Sequence, residues 1–325
     1  MMKAMRYLFW MTPICIIVGM TSTLSAQVSV RGFGYTAPTP PIVAPGEVTT
    51  LFVSGLPYIP TPLVATTTPL PPSLGGISVG LQQGSQSFTA PLFRVQQSNS
   101  CADASDKSNG CMVTAITLQV PFELAPGVGT VGTTISENGI PVSKAFALAV
   151  DFDHMHVLTY CDIVFGTPVP PLGCVAIVTH PDFTPVTQGF PAAAGEVVTI
   201  WAVGLGVSQP RVPTGQATPL YVPTGANAPA LRVGFDFSLN AAPYSAWDAV
   251  VGFPELPPPQ VATFVGLTPG YVGLYQINVP IPQPLPAVDR CSITLNLLSN
   301  LTINLRVGNS GSSDGAPLCV APPLP

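Results

Sequence analysis

The stretch "GEVVTIWAVGLG", residues 195–206, alternates β-branched and apolar side chains and ends in glycines. This pattern predicts one β-strand followed by a turn. A second stretch, "GEVTTLFVSGLP" at residues 46–57, is identical to it at six of twelve positions. The shared residues are those that a strand and its glycine turn require. The pair therefore indicates an internal repeat and offers no catalytic motif.

Composition favours an all-β extracellular protein. Charged residues make up 8% of the 325 residues, against about 25% in a typical globular domain. The hydrophobic fraction of 47% is too high for a disordered chain, and 40 prolines and 30 glycines separate short runs rich in Val, Thr and Ser. The formal net charge of −5 becomes −7 without Lys3 and Arg6 of the leader. A nucleic-acid partner is not expected, because phosphate binding needs clustered basic residues.

Residues 1–26 predict a cleaved secretory signal peptide. Lys3 and Arg6 precede an apolar run over residues 7–20, and a Leu-Ser-Ala sequence ending at Ala26 supplies a cleavage site. The run is shorter than the roughly 20 residues of a membrane span, so an uncleaved anchor is the lesser alternative. We expect secretion after cleavage behind Ala26, with no transmembrane segment in the mature chain.

The cysteines predict disulfide bonds. An even number in a secreted chain favours pairing, and about 15 pairings are open to six cysteines. The simplest joins neighbours along the chain, and a zinc site is disfavoured because no Cys-x-x-Cys spacing occurs. The seventh, Cys15, lies in the predicted leader, and the six cysteines of the mature chain are Cys101, Cys111, Cys161, Cys174, Cys291 and Cys319.

The repeat extends beyond its opening strand. "AITLQVPFEL" at 115–124 parallels "LYQINVPIPQ" at 274–283. The copies are offset by 149 residues at Gly46 and Gly195, and by 159 at Pro121 and Pro280, which predicts a ten-residue insertion in the second. Two copies of short strands predict two tandem immunoglobulin-like β-sandwiches. Their predicted ranges are 27–150 and 187–325, and the segment 151–186 joins them.

Two hairpins are predicted from turn signals. The residues Glu137-Asn138-Gly139 mark a turn in the first copy, because Asn-Gly supplies positive φ angles. In the joining segment, "YCDIVFG" and "GCVAIVTH" read as the arms of a second hairpin, clasped by Cys161 and Cys174.

The second copy resembles a known family. "AAGEVVTIWAVGLG", "TGQATPL" and "FVGLTPGYVGLYQINVPIP" are similar to the Solibacter-type uncharacterised C-terminal domain of secreted acidobacterial proteins, most strongly from about Cys174 to Pro282. "APGEVTTLFVSGL" and "LGGISVGL" in the first copy resemble immunoglobulin-like modules of the IPT/TIG type. The resemblance implies secretion, an immunoglobulin-like β-sandwich and a structural role for His180. It implies no catalytic residues.

"DFDHMH" at 151–156 is the most suggestive polar cluster. On a strand, Asp151 and Asp153 would share one face, and His154 and His156 the other. A His-x-His pair can ligate zinc or copper. The alternative, which we favour, is a polar strand or linker between the domains whose side chains are simply hydrated, so that neither a metal nor a cofactor is expected.

The remaining candidates are weaker. Glu47 and Glu196 recur at matched positions, where each is expected to cap a turn or mark the exposed start of its strand. "NSGSSDG" at 309–315 reads as a flexible turn, with calcium as a minor alternative. Asn300 begins a glycosylation sequon. No nucleophile motif is present in the sequence, so an enzyme is not expected.

Exposed aromatic side chains could stack on glycans. Tyr244 and Trp247 in "PYSAW" are the best candidates because that stretch reads as a loop. Trp201, Tyr271 and Tyr275 are weaker, since burial is the default inside a strand.

The sequence predicts a secreted, non-enzymatic interaction or adhesion module that binds an extracellular protein or a polysaccharide. The alternative is a structural subunit that binds copies of itself in a filament or surface layer. Its edges would assemble by β-strand addition, with segment 27–36 as the donor strand.

Overall fold

The computed structural model describes residues 28–34, 41–163, 174–220, 224–225, 230–236, 259–292, 299–307 and 315–323. The chain is nearly all β, with 47% of residues in strands and 2% in helices, as composition and periodicity predict. Among the described residues, no helix is long and apolar enough to cross a membrane. The predicted leader, Tyr244, Trp247 and most of 309–315 lie outside the described residues.

The first repeat forms two sheets. The first has the strand order β1-β3-β8-β7-β4, and the second has the order β2-β11-β9-β5-β6 with β10 also on β9. Their bounds are β1 (Ser29–Gly34), β2 (Ile42–Val43), β3 (Val48–Ser54), β4 (Leu63–Val64), β5 (Ile77–Gln83), β6 (Gln86–Ala90), β7 (Leu92–Asn99), β8 (Met112–Gln119), β9 (Thr130–Glu137), β10 (Ile140–Pro141) and β11 (Phe146–Val150).

The second repeat has the same plan. One sheet has the order β12-β14-β20-β19-β16-β15 with β13 also on β14, and the other has the order β18-β17-β21-β22. Their bounds are β12 (His156–Val157), α1 (Tyr160–Ile163), β13 (Val178–Thr179), β14 (Val197–Val203), β15 (Ser208–Gln209), β16 (Thr224–Gly225), β17 (Leu231–Asp236), β18 (Gln260–Val261), β19 (Phe264–Leu267), β20 (Tyr275–Pro280), β21 (Leu301–Val307) and β22 (Ala316–Leu318).

Both repeats have the strand order of an immunoglobulin-like sandwich. The neighbours β1-β3-β8-β7 and β6-β5-β9-β11 correspond to the A-B-E-D and C′-C-F-G sheets of that fold. Inward side chains of both sheets, such as Leu51, Val79 and Ile135, form one buried cluster. Ile200, Val233 and Ile303 belong to a second cluster. The division into independent domains stays a prediction.

The structure corrects the alignment of the two repeats. The N–H of Val120 donates to the carbonyl of Glu47, and the N–H of Ile281 donates to the carbonyl of Glu196. Ile281 lies 161 positions after Val120, so the insertion is twelve residues, and pairing Pro121 with Pro280 was wrong by two. A two-residue slip keeps every side chain on its own face of the sheet, so the apolar alternation could not reveal it.

The Asn-Gly turn is confirmed, and the clasped hairpin needs correction. Ile140 pairs with Glu137 across Asn138 and Gly139, whose φ angles are 50° and 79°. In the joining segment, residues 158–160 pair with 175–177. Tyr160–Ile163, predicted as strand, is one helical turn.

The disulfide bonds predicted from the cysteine count are present. They join cysteines that are neighbours along the chain, with Cα–Cα distances of 5.1, 5.0 and 6.2 Å: Cys101–Cys111, Cys161–Cys174 and Cys291–Cys319.

The strand within the predicted donor segment 27–36 is β1. It pairs antiparallel with β3 of its own chain, from Ser29 opposite Ser54 to Gly34 opposite Thr50. Assembly by strand addition would need this pairing to form between chains, and it stays a prediction.

Candidate functional site: the cleft between the two repeats

A glutamate closes the turn before the opening strand in each repeat. Ala44-Pro45-Gly46-Glu47 forms a turn in which the N–H of Glu47 donates to Ala44 O (3.1 Å). Glu47 Oε2 accepts the N–H of Ala44 at 2.7 Å. In the second copy Glu196 Oε2 accepts the N–H of Ala193 at 2.8 Å. The prediction that the two glutamates cap turns is therefore confirmed, although Glu47 is fully buried and does not mark an exposed strand start.

The second oxygen of each glutamate faces a histidine. Glu47 Oε1 lies 3.0 Å from His154 Nδ1, and Glu196 Oε1 lies 2.5 Å from His180 Nδ1. His180 is buried, its Nε2 lies 3.2 Å from Phe190 O, and its ring lies against the Phe190 ring. The structural role that the resemblance implies for His180 stays a prediction, and these contacts support it.

The two histidines of "DFDHMH" do not converge on one point. His154 faces Glu47, whereas His156 Nε2 lies 2.9 Å from Asp162 Oδ2. Only His156 belongs to a strand, so the strand geometry on which the two-faced arrangement depended is not formed. Among the described residues, the set of three metal-ligating atoms found within 4.8 Å of one another is Cys101, Asp106 and Cys111. Both of its sulfurs are in a disulfide.

The "TGQATPL" motif lies at the junction of the repeats. Thr214 Oγ1 accepts the N–H of Phe122 (2.9 Å) and donates to Glu123 Oε2 (2.6 Å). The N–H of Gly215 donates to Gln119 Oε1 at 2.7 Å, and Gly215 O accepts the N–H of Leu70 at 2.9 Å. These four hydrogen bonds, together with Phe122 packed in the second core cluster, fix one sandwich against the other.

A cleft with a volume of about 310 Å³ lies between the first sandwich and α1. Its floor is the outer face of the β3-β8-β7-β4 sheet, and Cys161 and Asp162 close it from the joining segment. Pockets at such boundaries are common ligand sites. The lining residues on the sheet side are Val48, Thr50, Phe52, Val64, Ala65, Phe93, Arg94, Gln96, Ala115 and Thr117.

Two local features carry charged groups into this cleft. A bulge between Leu92 and Arg94 makes Phe93 an extra residue in β7, and both Phe93 and Arg94 line the cleft. Asp162 reaches back to the start of α1, as the third residue of a capping box does: its Oδ2 accepts the N–H (2.6 Å) and the hydroxyl (2.9 Å) of Thr159. His156 contacts the same oxygen, so the carboxylate is firmly oriented.

One polar atom of each of these two groups is buried without a partner. Asp162 Oδ1 and Arg94 Nε are both buried without a hydrogen bond, and the Asp162 side chain is only 4% exposed. An unsatisfied buried polar atom costs roughly 1 to 3 kcal/mol. Both atoms are inaccessible to water in this conformation, so a molecule in the cleft could reach them only after a rearrangement of its walls.

The other sequence candidates lie elsewhere. Tyr275 is buried and donates to Gly206 O (2.7 Å), and burial raises the pKa of its hydroxyl. Tyr271 is 58% exposed, and Trp201 is partly buried in β14. Asn300 is buried, with its amide bonded to Asp289 O, Val320 O and Val320 N, so the folded chain does not present this sequon.

The sequence analysis did not identify the two charged residues of the cleft, Arg94 and Asp162. Thr159-x-x-Asp162 has the spacing of a capping box, and this signal could have indicated the helical turn. Arg94 is one of few charges and interrupts an apolar strand. No sequence pattern, however, indicates that α1 lies above β7.

No protein-family model matches the chain, and no curated protein matches it significantly. The resemblance to the Solibacter-type domain therefore stays a prediction, which the comparisons do not test.

Acidity should affect stability in opposite directions at two aspartates. Burial and the nearby Asp151 charge raise the pKa of Asp153, whereas hydrogen bonds from Ser105 lower the pKa of Asp103. An acid with a raised pKa loses stability as pH rises through its unfolded and folded values. Asp153→Asn should therefore raise the melting temperature at pH 7, and the gain should shrink towards pH 3.

The matched control is Asp103→Asn, which should lower the melting temperature slightly at pH 7, with a loss that shrinks as pH falls below the ordinary aspartate value. Thermal unfolding followed by circular dichroism between pH 3 and 7 measures both variants. If both variants changed the melting temperature in the same direction at pH 7, the opposite pKa shifts of Asp153 and Asp103 would be contradicted.

Proposed function

We propose that this chain is a secreted, non-enzymatic binding module of the cell surface, and that the cleft between its repeats holds part of an extracellular protein or glycan. The observation that carries this proposal is the cleft of about 310 Å³, in which apolar side chains surround the charged groups of Arg94 and Asp162. Ligand sites are typically concave and mostly apolar, with a few polar groups that fix the orientation of the ligand.

The surroundings of the cleft support recognition of a ligand. Asp162 Oδ2 is held by Thr159 and His156, so the carboxylate has a fixed orientation before any ligand arrives. The bonds of Thr214 and Gly215 hold the second repeat against the first. A pre-formed site binds more tightly because less ordering is needed on association.

Glycan and peptide arrays probed with the mature chain, residues 27–325, test the proposal. We expect the protein to bind some of the arrayed glycans or peptides. Arg94→Met should weaken this binding by about 10- to 100-fold, which corresponds to the loss of one charged hydrogen bond. Arg211→Met removes the same charge from an exposed position outside the cleft and is the control.

Stability separates recognition from a structural role. Arg94 Nε has no partner in the folded chain, so Arg94→Met should leave the melting temperature unchanged or raise it. A fall in melting temperature, or equal retention of Arg94→Met and Arg211→Met, would assign Arg94 a structural role and refute the proposed site. No retention on either array would refute the function.

A further inference from the structure

We infer that two copies of this chain associate through the outer end of the second repeat and form a closed dimer with two-fold symmetry. The outer end is the end of the sandwich that lies away from the first repeat, and it comprises Phe183, Phe190, Ala193, Ala194 and Val197. Strand β14 begins there and finishes beside the joining segment, where His156 pairs with Val203. This inference goes beyond the proposed function and does not depend on the cleft.

The same end of the first repeat is already buried by docking. Ala44, Gly46 and Glu47 in its turn are all buried. The second repeat lies directly against them, because a Cβ added to Gly273 would be 2.7 Å from Gly46 O and 2.8 Å from Val48 Cγ2. This end of the module is therefore a contact surface between modules within the chain.

In the second repeat the equivalent residues, 149 positions later, are exposed. They are residues 193–195 and 197. His180, which contacts Glu196 of this turn, lies against the ring of Phe190 with 4.1 Å between the ring centroids. Phe190 itself is 53% exposed. Apolar side chains therefore lie in water at the end where the first repeat docks its neighbour.

A closed loop adds a second exposed ring to this end. The N–H of His180 donates to Thr184 O and the N–H of Phe183 donates to His180 O, both at 2.9 Å. Asp182 Oδ1 accepts the N–H (3.0 Å) and the hydroxyl (2.6 Å) of Thr184. Phe183 has a φ of 65°, which is strained for a bulky residue, and is 67% exposed. The loop thus fixes an aromatic side chain outward, and aromatic side chains are common anchors of protein interfaces.

The outer end of the first repeat has a polar cover instead. Gly55, which follows β3, donates its N–H to Asn109 O in the disulfide-bonded loop 101–111. The equivalent Gly204 accepts the N–H of His154 from the joining segment. The loop therefore covers the position that a preceding module would cover, and its exposed residues include aspartates, serines and a lysine. Polar covers of this kind end arrays of repeats, so head-to-tail stacking of copies is not expected.

A two-fold dimer fits the difference between the two ends. In such a dimer the same surface serves both partners, and this is the commonest closed oligomer. Each copy would cover Phe183 and Phe190 of the other and so remove apolar surface from water. Because the association uses the outer end of the second repeat on both copies, it stops at two.

Size-exclusion chromatography with light scattering tests this inference on the mature chain, residues 27–325, from about 1 to 100 μM. The wild type should become dimeric within this range, and Phe183→Ser should weaken the dimer by about tenfold or more. Ile140→Ser is the control, because Ile140 is also 67% exposed but lies on a hairpin of the first repeat. A monomeric wild type at every concentration, or equal dimerisation of the two variants, would overturn the inference.

Cross-linking provides a second measurement that does not depend on Phe183→Ser folding. Ala194→Cys should be joined to itself by a short bifunctional maleimide, because a two-fold dimer brings the same end of both copies together. Thr61→Cys, exposed in the first repeat, should not be joined to itself. Products that form only when the two variants are mixed would show head-to-tail contact and refute the two-fold arrangement, as would oligomers that grow beyond two copies.

Discussion

Replacing Gly46 with alanine is expected to lower the free energy of unfolding by about 3 to 5 kcal/mol. The same change at Gly195 is expected to cost only about 1 to 2 kcal/mol. The two glycines occupy the same turn with φ angles of 80° and 75°, so the backbone penalty is shared. A Cβ at Gly46 would overlap the ring of buried Phe122, whereas at Gly195 it would meet the flexible end of Gln283.

Urea denaturation of the two variants measures this difference. Gly84→Ala is the control, because Gly84 has a φ of 59° and no atom lies within 4 Å of an added Cβ. It isolates the backbone cost. Equal destabilisation by all three substitutions would show that the Phe122 ring moves aside without cost, and would contradict the prediction.

Removal of the Cys291–Cys319 disulfide by a double change to alanine is expected to cost about 4 to 5 kcal/mol. The bond spans 28 positions, and the loss of its loop constraint in the unfolded chain accounts for about 3.5 kcal/mol in the chain-entropy description. Both cysteines are buried, at 5% and 1% exposure, so lost packing adds about 1 kcal/mol.

The Cys101–Cys111 pair provides the comparison. It spans 10 positions and Cys101 is exposed, so its removal should cost roughly 3 kcal/mol, almost all through the unfolded chain. Denaturation of both double variants without reductant gives the two values. A larger loss at Cys101–Cys111 would refute the argument from loop length and burial.

The sequence was sufficient to predict the all-β class, the repeated strand and the Asn138-Gly139 turn, because each depends on local periodicity or local backbone geometry. It could not show that Val120 of the first repeat is equivalent to Ile281 of the second, since a shift of two residues in the alignment leaves the apolar pattern unchanged. The sequence also predicted "YCDIVFG" to be a strand. Its apolar residues favoured that structure, and the helix-capping spacing of Thr159 and Asp162 was not recognised.

The candidate site was harder to predict for a different reason. Arg94 lies on β7 of the first repeat and Asp162 lies in the joining segment, 68 positions later. Neither residue belongs to a motif, and their relation depends on how Thr214, Gly215 and Phe122 dock the repeats. Local patterns describe the sandwiches well, but they carry no information about the surface between them.

The position of the cleft has an evolutionary consequence. Because its floor comes from one repeat and its cover from the segment that leads into the next, a single copy of the module would have no cleft at all. A chain of n such repeats docked in this way would contain n − 1 clefts. Gene duplication would thus have created the cleft directly, before any substitution altered the ancestral sandwich.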